Sequence, residues 1–431
     1  MNDAYEPFDD STLLSARARS GAAAPAPAGQ PRMDDPDATL LGSRGPAVPP
    51  APAPAAVQSG YGSASSEASA PLMPPAPHET ARTMPRPEPS SAQPSAAQAA
   101  QPAVPPTASL SGSSDVARFR DAFARLVANV SHAVMGKEPQ VRQVACALLA
   151  GGHVLLEDNP GTGKTQLARA LAHSVDAGFK RIQFTPDLLP SDVVGVTFYD
   201  RKTQDFTFRE GPVFASIVLA DEINRASPKT QSALLEVMEE RKVTVDGVTH
   251  EVPAPFIVLA TQNPVEQLGT YRLPEAQMDR FLIKTSIGYP SHDVAVDILR
   301  QVDVADRAAA LAPVMTGREV LELRALAERV HVDDALVEYI VRLTEATRGH
   351  EDVLVGSSMR GALSLMRCAR VWAAADGRGY VVPDDVRELA GPVLAHRLTL
   401  TADATFAGMT PDMVVERILE DVPAPVLGGA H

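Results

Sequence analysis

From residue 115 onward the apolar positions alternate between two periods. Phe119, Phe123, Leu126, Val127 and Val130 recur at helical spacing and predict one face of an amphipathic helix beginning near Asp115. Val154–Leu156 is a short apolar run, Gln166–Val175 reads as a helix, and Arg181–Phe184 reads as a second strand. Ile217–Ala220 and Phe256–Thr261 are further apolar runs of strand length. Between those two, Ser227 is placed to cap, and Pro228 to open, a helix running through Glu240. Strands alternating with helices predict a parallel α/β sheet whose ligands sit at the C-terminal ends of the strands.

Two stretches depart from this rhythm. Val193–Phe208 and Val243–Glu251 read as hairpins, the second with Asp246-Gly247 as its tight turn. A hairpin projecting from a parallel sheet has little core to serve, so both are candidate contact surfaces. From about residue 291 the pattern turns helical, over Ala295–Gln301, Glu319–Val330, Asp334–Arg348, Met359–Ala374 and Asp384–His396. The expected division is therefore an N-terminal region at 1–113, an α/β core at 114–290 and a helical domain at 291–431.

Composition changes the picture mainly before residue 114. Residues 1–113 hold 21 of the 38 prolines, six arginines and no lysine, with Ala/Ser/Pro tracts such as Pro46–Ala56. Such a segment cannot bury enough apolar surface to offset its conformational entropy, and is expected to be disordered, as a solvated tail or as a partner-binding arm. The net charge of −14 argues against a free-standing binder of nucleic acid or anionic membrane. Two cysteines, Cys146 and Cys368, exclude a disulfide framework and fit a reducing compartment. Neither a membrane-spanning apolar run nor a basic-then-apolar leader is present, so a cytoplasmic protein without membrane insertion is expected.

The candidate chemistry begins at Asp158–Thr165, Asp-Asn-Pro-Gly-Thr-Gly-Lys-Thr. Gly161 and Gly163 allow the backbone to turn its N–H groups inward on phosphate oxygens, and the following helix adds its positive end. Lys164 is expected to reach the β- and γ-phosphates and the Thr165 hydroxyl to bind Mg²⁺. Asp158 stands where such loops ordinarily begin with glycine. Asp221 and Glu222, at the tip of an apolar strand, are expected to hold the Mg²⁺ and to act as general base on the attacking water. Asn263, past another strand tip, can orient that water. Arg280, Arg360 and Arg225 are candidates for the positive charge that phosphoryl transfer needs.

Together, Val134-Met-Gly136, the phosphate loop, Leu219–Ala226, Glu236–Arg241, Ala260–Pro264 and Leu273–Phe281 resemble the MoxR branch of the AAA+ ATPases, from about Phe119 to about Pro425. The resemblance implies a five-stranded parallel sheet with flanking helices, plus an α-helical lid, with ATP between them. Val134, Met135 and Gly136 then match the stretch that packs on the adenine. Pro160, Gly161, Thr162, Gly163, Lys164, Thr165 and Gln166 match the nucleotide cradle. Thr165 and Asp221 match the Mg²⁺ ligands, Glu222 the base, Asn263 the sensor-1 position, Arg280 the arginine finger and Arg360 the sensor-2 position. Residues 185–210 match the insert of the family's wider clade. Around Arg360 the sequence reads Gly356-Ser-Ser-Met-Arg-Gly361, where the family tends to have Gly-Ala-Ser-Pro-Arg-Ala.

Members resemble chaperone-like hexamers that mature or activate protein clients, often with von Willebrand factor A-domain partners. Two other readings compete. A nucleic-acid motor is disfavoured because Arg201-Lys202 and Arg241-Lys242 on the hairpins stand beside acidic residues. A nucleotide-gated scaffold with little turnover is disfavoured by the presence of Glu222, Asn263 and Arg280 together.

Overall fold

The computed structural model describes residues 113–263, 270–300 and 306–426. The N-terminal region expected to be disordered, Pro264, Gln301 and the tail after residue 426 lie outside the described residues. Helices α1 (Ser113–Ala133) and α2 (Glu138–Leu149) lead into strand β1 (Val154–Glu157), then α3 (Lys164–Ser174) and β2 (Phe179–Gln183). A short α4 (Pro190–Val194) opens the first hairpin, β3 (Gly195–Asp200) and β4 (Asp205–Glu210), which is followed by β5 (Ile217–Asp221) and α5 (Pro228–Glu240). The second hairpin, β6 (Lys242–Val245) and β7 (Val248–Glu251), precedes β8 (Ile257–Gln262), α6 (Glu275–Met278) and β9 (Ile283–Thr285). The rest is largely helical. It comprises α7 (His292–Arg300), α8 (Gly317–Glu328), α9 (Asp334–Gly349), β10 (Val353–Val355), α10 (Met359–Ala375) and α11 (Pro383–Leu394). Strand β11 (Thr399–Leu400), α12 (Ala402–Phe406) and α13 (Pro411–Asp421) close it.

The expected parallel sheet is present, with five strands in the order β2-β5-β8-β1-β9. Its central strands are apolar on both faces because both faces are covered. Val154, Leu156, Ile217, Leu219, Ile257 and Leu259 point into one apolar cluster shared with α1, α2 and α3. Their alternates Leu155, Val218, Ala220, Val258 and Ala260 point into a second cluster with α5. Helices α8 to α11 and α13 continue the first cluster through Leu323, Tyr339, Leu365, Leu389 and Val414. Ser227 Oγ accepts from Thr230 N at the start of α5, and Pro228 opens it. Asp246 and Gly247, at φ +49° and +80°, make the tight turn between β6 and β7.

Some boundaries move, for local reasons. The second strand is Phe179–Gln183 rather than Arg181–Phe184, because it is a sheet edge where only Ile182 is buried and hydrophobicity gives little guide. The first hairpin starts at Gly195 because Pro190–Val194 winds into a helical turn. Gly195 ends that turn at φ +102°, with Arg209 O only 2.4 Å from where a Cβ would sit. Helix α2 and strand β9, unmarked in the sequence pattern, supply a buried layer and the edge beside β1. Among the described residues, no helix is long and apolar enough to cross a membrane.

Candidate nucleotide site

Strands β5, β8 and β1 are neighbours, so their C-terminal ends bring Asp221, Asn263 and the phosphate loop together. Within the loop Gly161 and Gly163 take φ +83° and +94°, and nothing lies within 4 Å of a Cβ built on either. That open concavity is what a phosphate needs. Gly163 caps α3 without any side-chain hydrogen bond, so the first N–H groups of the helix remain for an anion. Pro160 is exposed and Thr162 buried, its hydroxyl donating to Asn159 O at 3.3 Å. Lys164 Nζ donates to Asp158 O at 2.8 Å and Asn159 O at 3.2 Å, which holds the ammonium at the mouth of the loop. Thr165 and Gln166 follow half-buried, and Gln166 Oε1 has no hydrogen-bond partner.

Asp158 does more than replace a glycine. Its carboxylate is buried and accepts from Ser286 Oγ, Ile287 N and Gly288 N at 2.8, 2.6 and 2.9 Å. One residue on, Lys137 Nζ donates to Tyr289 O at 2.7 Å. Val134 is buried, Met135 is half-buried, and Gly136 at φ +70° faces Val294 of α7. The Val134–Gly136 turn, residues 286–289 and the phosphate loop are thus tied into one wall.

A hydrogen-bonded chain orders the acidic pair. Thr261 Oγ1 donates to Asp221 Oδ1 at 2.7 Å and accepts from Glu222 N at 2.8 Å. Arg181 bonds Asp221 Oδ2 at 2.6 Å and Gln183 Oε1 at 2.6 Å. Gln183 Nε2 in turn donates to Glu222 Oε2 at 2.8 Å, and Arg225 pairs with the same oxygen at 3.0 Å. Glu222 sits at φ +56°, a strained conformation for a residue with a Cβ and one that clusters at functional positions. Asn263 is buried at the end of β8.

Arg280 and Arg360 lie elsewhere. Leu282 N bonds His153 O at 2.8 Å, which places Arg280 at the N-terminal end of β1, opposite the phosphate loop. Arg280 Nε stands 3.3 Å from Glu239 Oε2, as an ion pair whose angle makes no hydrogen bond. Arg360 pairs with the other oxygen of the same Glu239. Asp279 accepts from Arg397 Nε and Ser358 Oγ, both at 2.8 Å, and so pins the Arg280 segment to the start of α10. The arginines line a cavity of about 330 Å³ with Gly151, Arg241 and Arg367.

Gln183, Thr261, Arg181, Glu239 and Asp279 were not singled out from the sequence. Gln183 pairs in register with Asp221, a signal that appears only once β2 and β5 are known to be neighbours.

The sheet order and the loop at the tip of β1 define a P-loop ATPase of the AAA type. A family model described as "ATPase family associated with various cellular activities (AAA)" matches residues 153–283, and one for the AAA lid domain matches 345–418. The chain is 43% identical to Chaperone MoxR1 of Mycobacterium tuberculosis over 70% of this chain and 82% of that protein. It is 49% identical to the uncharacterised Bacillus subtilis protein YeaC over 70% of this chain and 95% of that one. Protein MoxR of Methylorubrum extorquens is 32% identical over 71% and 96% respectively. A crystal structure of a Cytophaga hutchinsonii protein assigned as an ATPase superposes with a TM-score of 0.68 at 37% identity, covering 73% of this chain and 98% of that one. The chain belongs to the MoxR family of AAA+ ATPases, and it hydrolyses ATP.

Proposed function

We propose that this ATPase works as a head-to-tail hexameric ring in which ATP hydrolysis remodels, matures or activates a client protein. The observation that carries this reading is the separation of Arg280 and Arg360 from the acidic pair, beside which the third candidate, Arg225, sits. Lys164, Asp221, Glu222 and Asn263 gather at one end of the sheet. Arg280 and Arg360 gather at the other, about 13 Å away at the rise of a four-residue strand. Guanidinium groups so far from their own phosphate loop suit a phosphate presented by another chain. Contacts of that head-to-tail kind close into rings. The relative named a chaperone supports a protein client. A von Willebrand factor A-domain partner and a cytoplasmic setting belong to the same proposal.

Each subunit contributes a core at 114–290 and a lid at 291–431, with ATP between them. In this scheme Val134, Met135 and Gly136 pack on the adenine. Pro160 to Gln166 surround the phosphates, and Lys164 exchanges its loop carbonyls for phosphate oxygens. Mg²⁺ fits Thr165 and Asp221, since it takes one or two protein oxygens beside phosphates and water rather than a protein cage. Thr261 uses one lone pair of Asp221 Oδ1 and Arg181 both of Oδ2, so the carboxylate retains one, on Oδ1. Held by these two residues, the ion would supply positive charge to the phosphate oxygens. Glu222 withdraws a proton from the water that Asn263 orients.

The test is complementation between subunits. Glu222→Gln and Arg280→Ala should each abolish ATPase activity, and mixing the two proteins should restore part of it, because some interfaces regain an intact base and an intact finger. Activity retained by either variant alone, or none in the mixture of well-assembled rings, overturns the reading.

A further inference from the structure

Next to the Arg280–Arg360 cavity, a second cavity of about 440 Å³ lies between the C-terminal end of α2, α8 and α10. Arg241, Arg324, Arg367 and Arg370 line it, and Glu328 is the carboxylate among its lining residues. Two of the guanidiniums converge on one glycine. Arg241 Nη2 is 3.5 Å, and Arg324 Cζ 3.8 Å, from the position of a Cβ on Gly151. Both are anchored there by carbonyls at and just past the C-terminal end of α2: Arg324 Nε donates to Leu148 O at 2.9 Å, and Arg241 Nη2 to Gly151 O at 3.0 Å.

Those anchors use only part of the donor set. Arg324 Nη2 and Arg370 Nε are buried and have no hydrogen-bond partner. Each buried donor without a partner costs free energy, and like charges at close range add to the cost. The strain is visible in Arg324, where burial and the neighbouring Arg241 charge bring the guanidinium down to about 10. An anion seated among the four side chains removes both costs together.

We propose that this cavity binds a small phosphate-bearing polyanion, at a site distinct from the phosphate loop. Guanidinium forks match phosphate oxygens in pairs, and several arginines can share the three or more oxygens of such a group. The volume admits a pyrophosphate or a nucleotide. Because the cavity borders both the core and the lid helices, a ligand there couples the position of α8 and α10 to that of α2. The phosphate can come free, as inorganic phosphate or pyrophosphate, or attached to a nucleoside.

Inorganic pyrophosphate should be titrated calorimetrically, at low ionic strength, into the full chain carrying Lys164→Ala to weaken the competing loop. One site per chain is expected, weakened about tenfold or more by Arg370→Ala, as loss of a charge-assisted hydrogen bond implies. Arg367→Ala, at an exposed side chain, gives a second variant in case Arg370→Ala fails to fold, and should also weaken binding. Arg280→Ala and Arg360→Ala, in the adjoining cavity, should leave it unchanged. ADP binding with the same Arg370 dependence would place the phosphate on a nucleotide; pyrophosphate binding alone would make it a free anion. Absence of pyrophosphate binding, indifference to Arg370→Ala and Arg367→Ala, equal sensitivity to Arg280→Ala, or a preference for citrate over pyrophosphate would each overturn the proposal.

Discussion

Replacing Asp158 with alanine tests whether this departure from the usual loop sequence is structural. In the native chain its buried carboxylate receives one hydroxyl and two backbone N–H groups from Ser286, Ile287 and Gly288. Removing it leaves those two N–H donors, one on the buried Ile287 and one on the half-buried Gly288, without that acceptor. Hydrogen bonds to a charged acceptor contribute about 1.5–3 kcal/mol each, and the three are not independent. We therefore expect a loss of about 3–5 kcal/mol, a large part of the stability of a typical domain. At about 2 °C per kcal/mol for a chain of this size, the melting temperature should fall by about 6–10 °C. Residues 286–289 also brace the Val134–Gly136 turn through Lys137, so nucleotide affinity should fall as well. Thermal unfolding by circular dichroism and ADP binding by fluorescence measure the two effects. A melting temperature within about a degree of the parent, with unchanged affinity, would refute the argument. Asp158→Gly, the ordinary loop residue, should behave no better than alanine, because what is lost is the acceptor.

Two further perturbations follow from the same contacts. Thr261→Val keeps the shape of a buried side chain but removes the hydroxyl that links Asp221 to the Glu222 backbone; kcat should drop about 10- to 100-fold with the fold intact, and a kcat within twofold of the parent would show the relay to be idle. His153 is buried, its Nδ1 accepting from Val258 N and its Nε2 facing Met238 O, and burial brings it down to about 4. The unfolded chain therefore binds this proton first as the pH falls below about 6.5, and the folded chain does so only near 4. Stability contributed by the neutral ring is thus complete above about 6.5 and is lost toward 4, amounting to about 2 kcal/mol by pH 5. Urea unfolding at pH 7 and pH 5 should show the loss, and an equal loss in a folded His153→Gln variant would assign it to other groups.

Much of the molecule was legible along the chain because the signals are local. Glycines at Gly161 and Gly163 before a helix, Ser227-Pro228 at a helix start and Asp246-Gly247 at a turn act within a few residues of themselves. The apolar runs Val154–Leu156, Ile217–Ala220 and Phe256–Thr261 announce buried strands because a strand covered on both faces needs no polar alternate. These features determined the class of fold and the phosphate loop. They could not determine strand order, since pairing depends on contacts between residues far apart in sequence. Only that order brought Gln183 beside Asp221 and put the tips of β5, β8 and β1 in one crevice. Likewise the sequence marked Arg280 and Arg360 without their location, and Asp158 without its partners more than a hundred residues away. The arginine cavity at Gly151 is the clearest case: Arg241 at the end of α5, Arg324 on α8 and the pair Arg367 and Arg370 on α10 meet only in the packed chain, and burial there is what leaves Arg324 Nη2 and Arg370 Nε without partners.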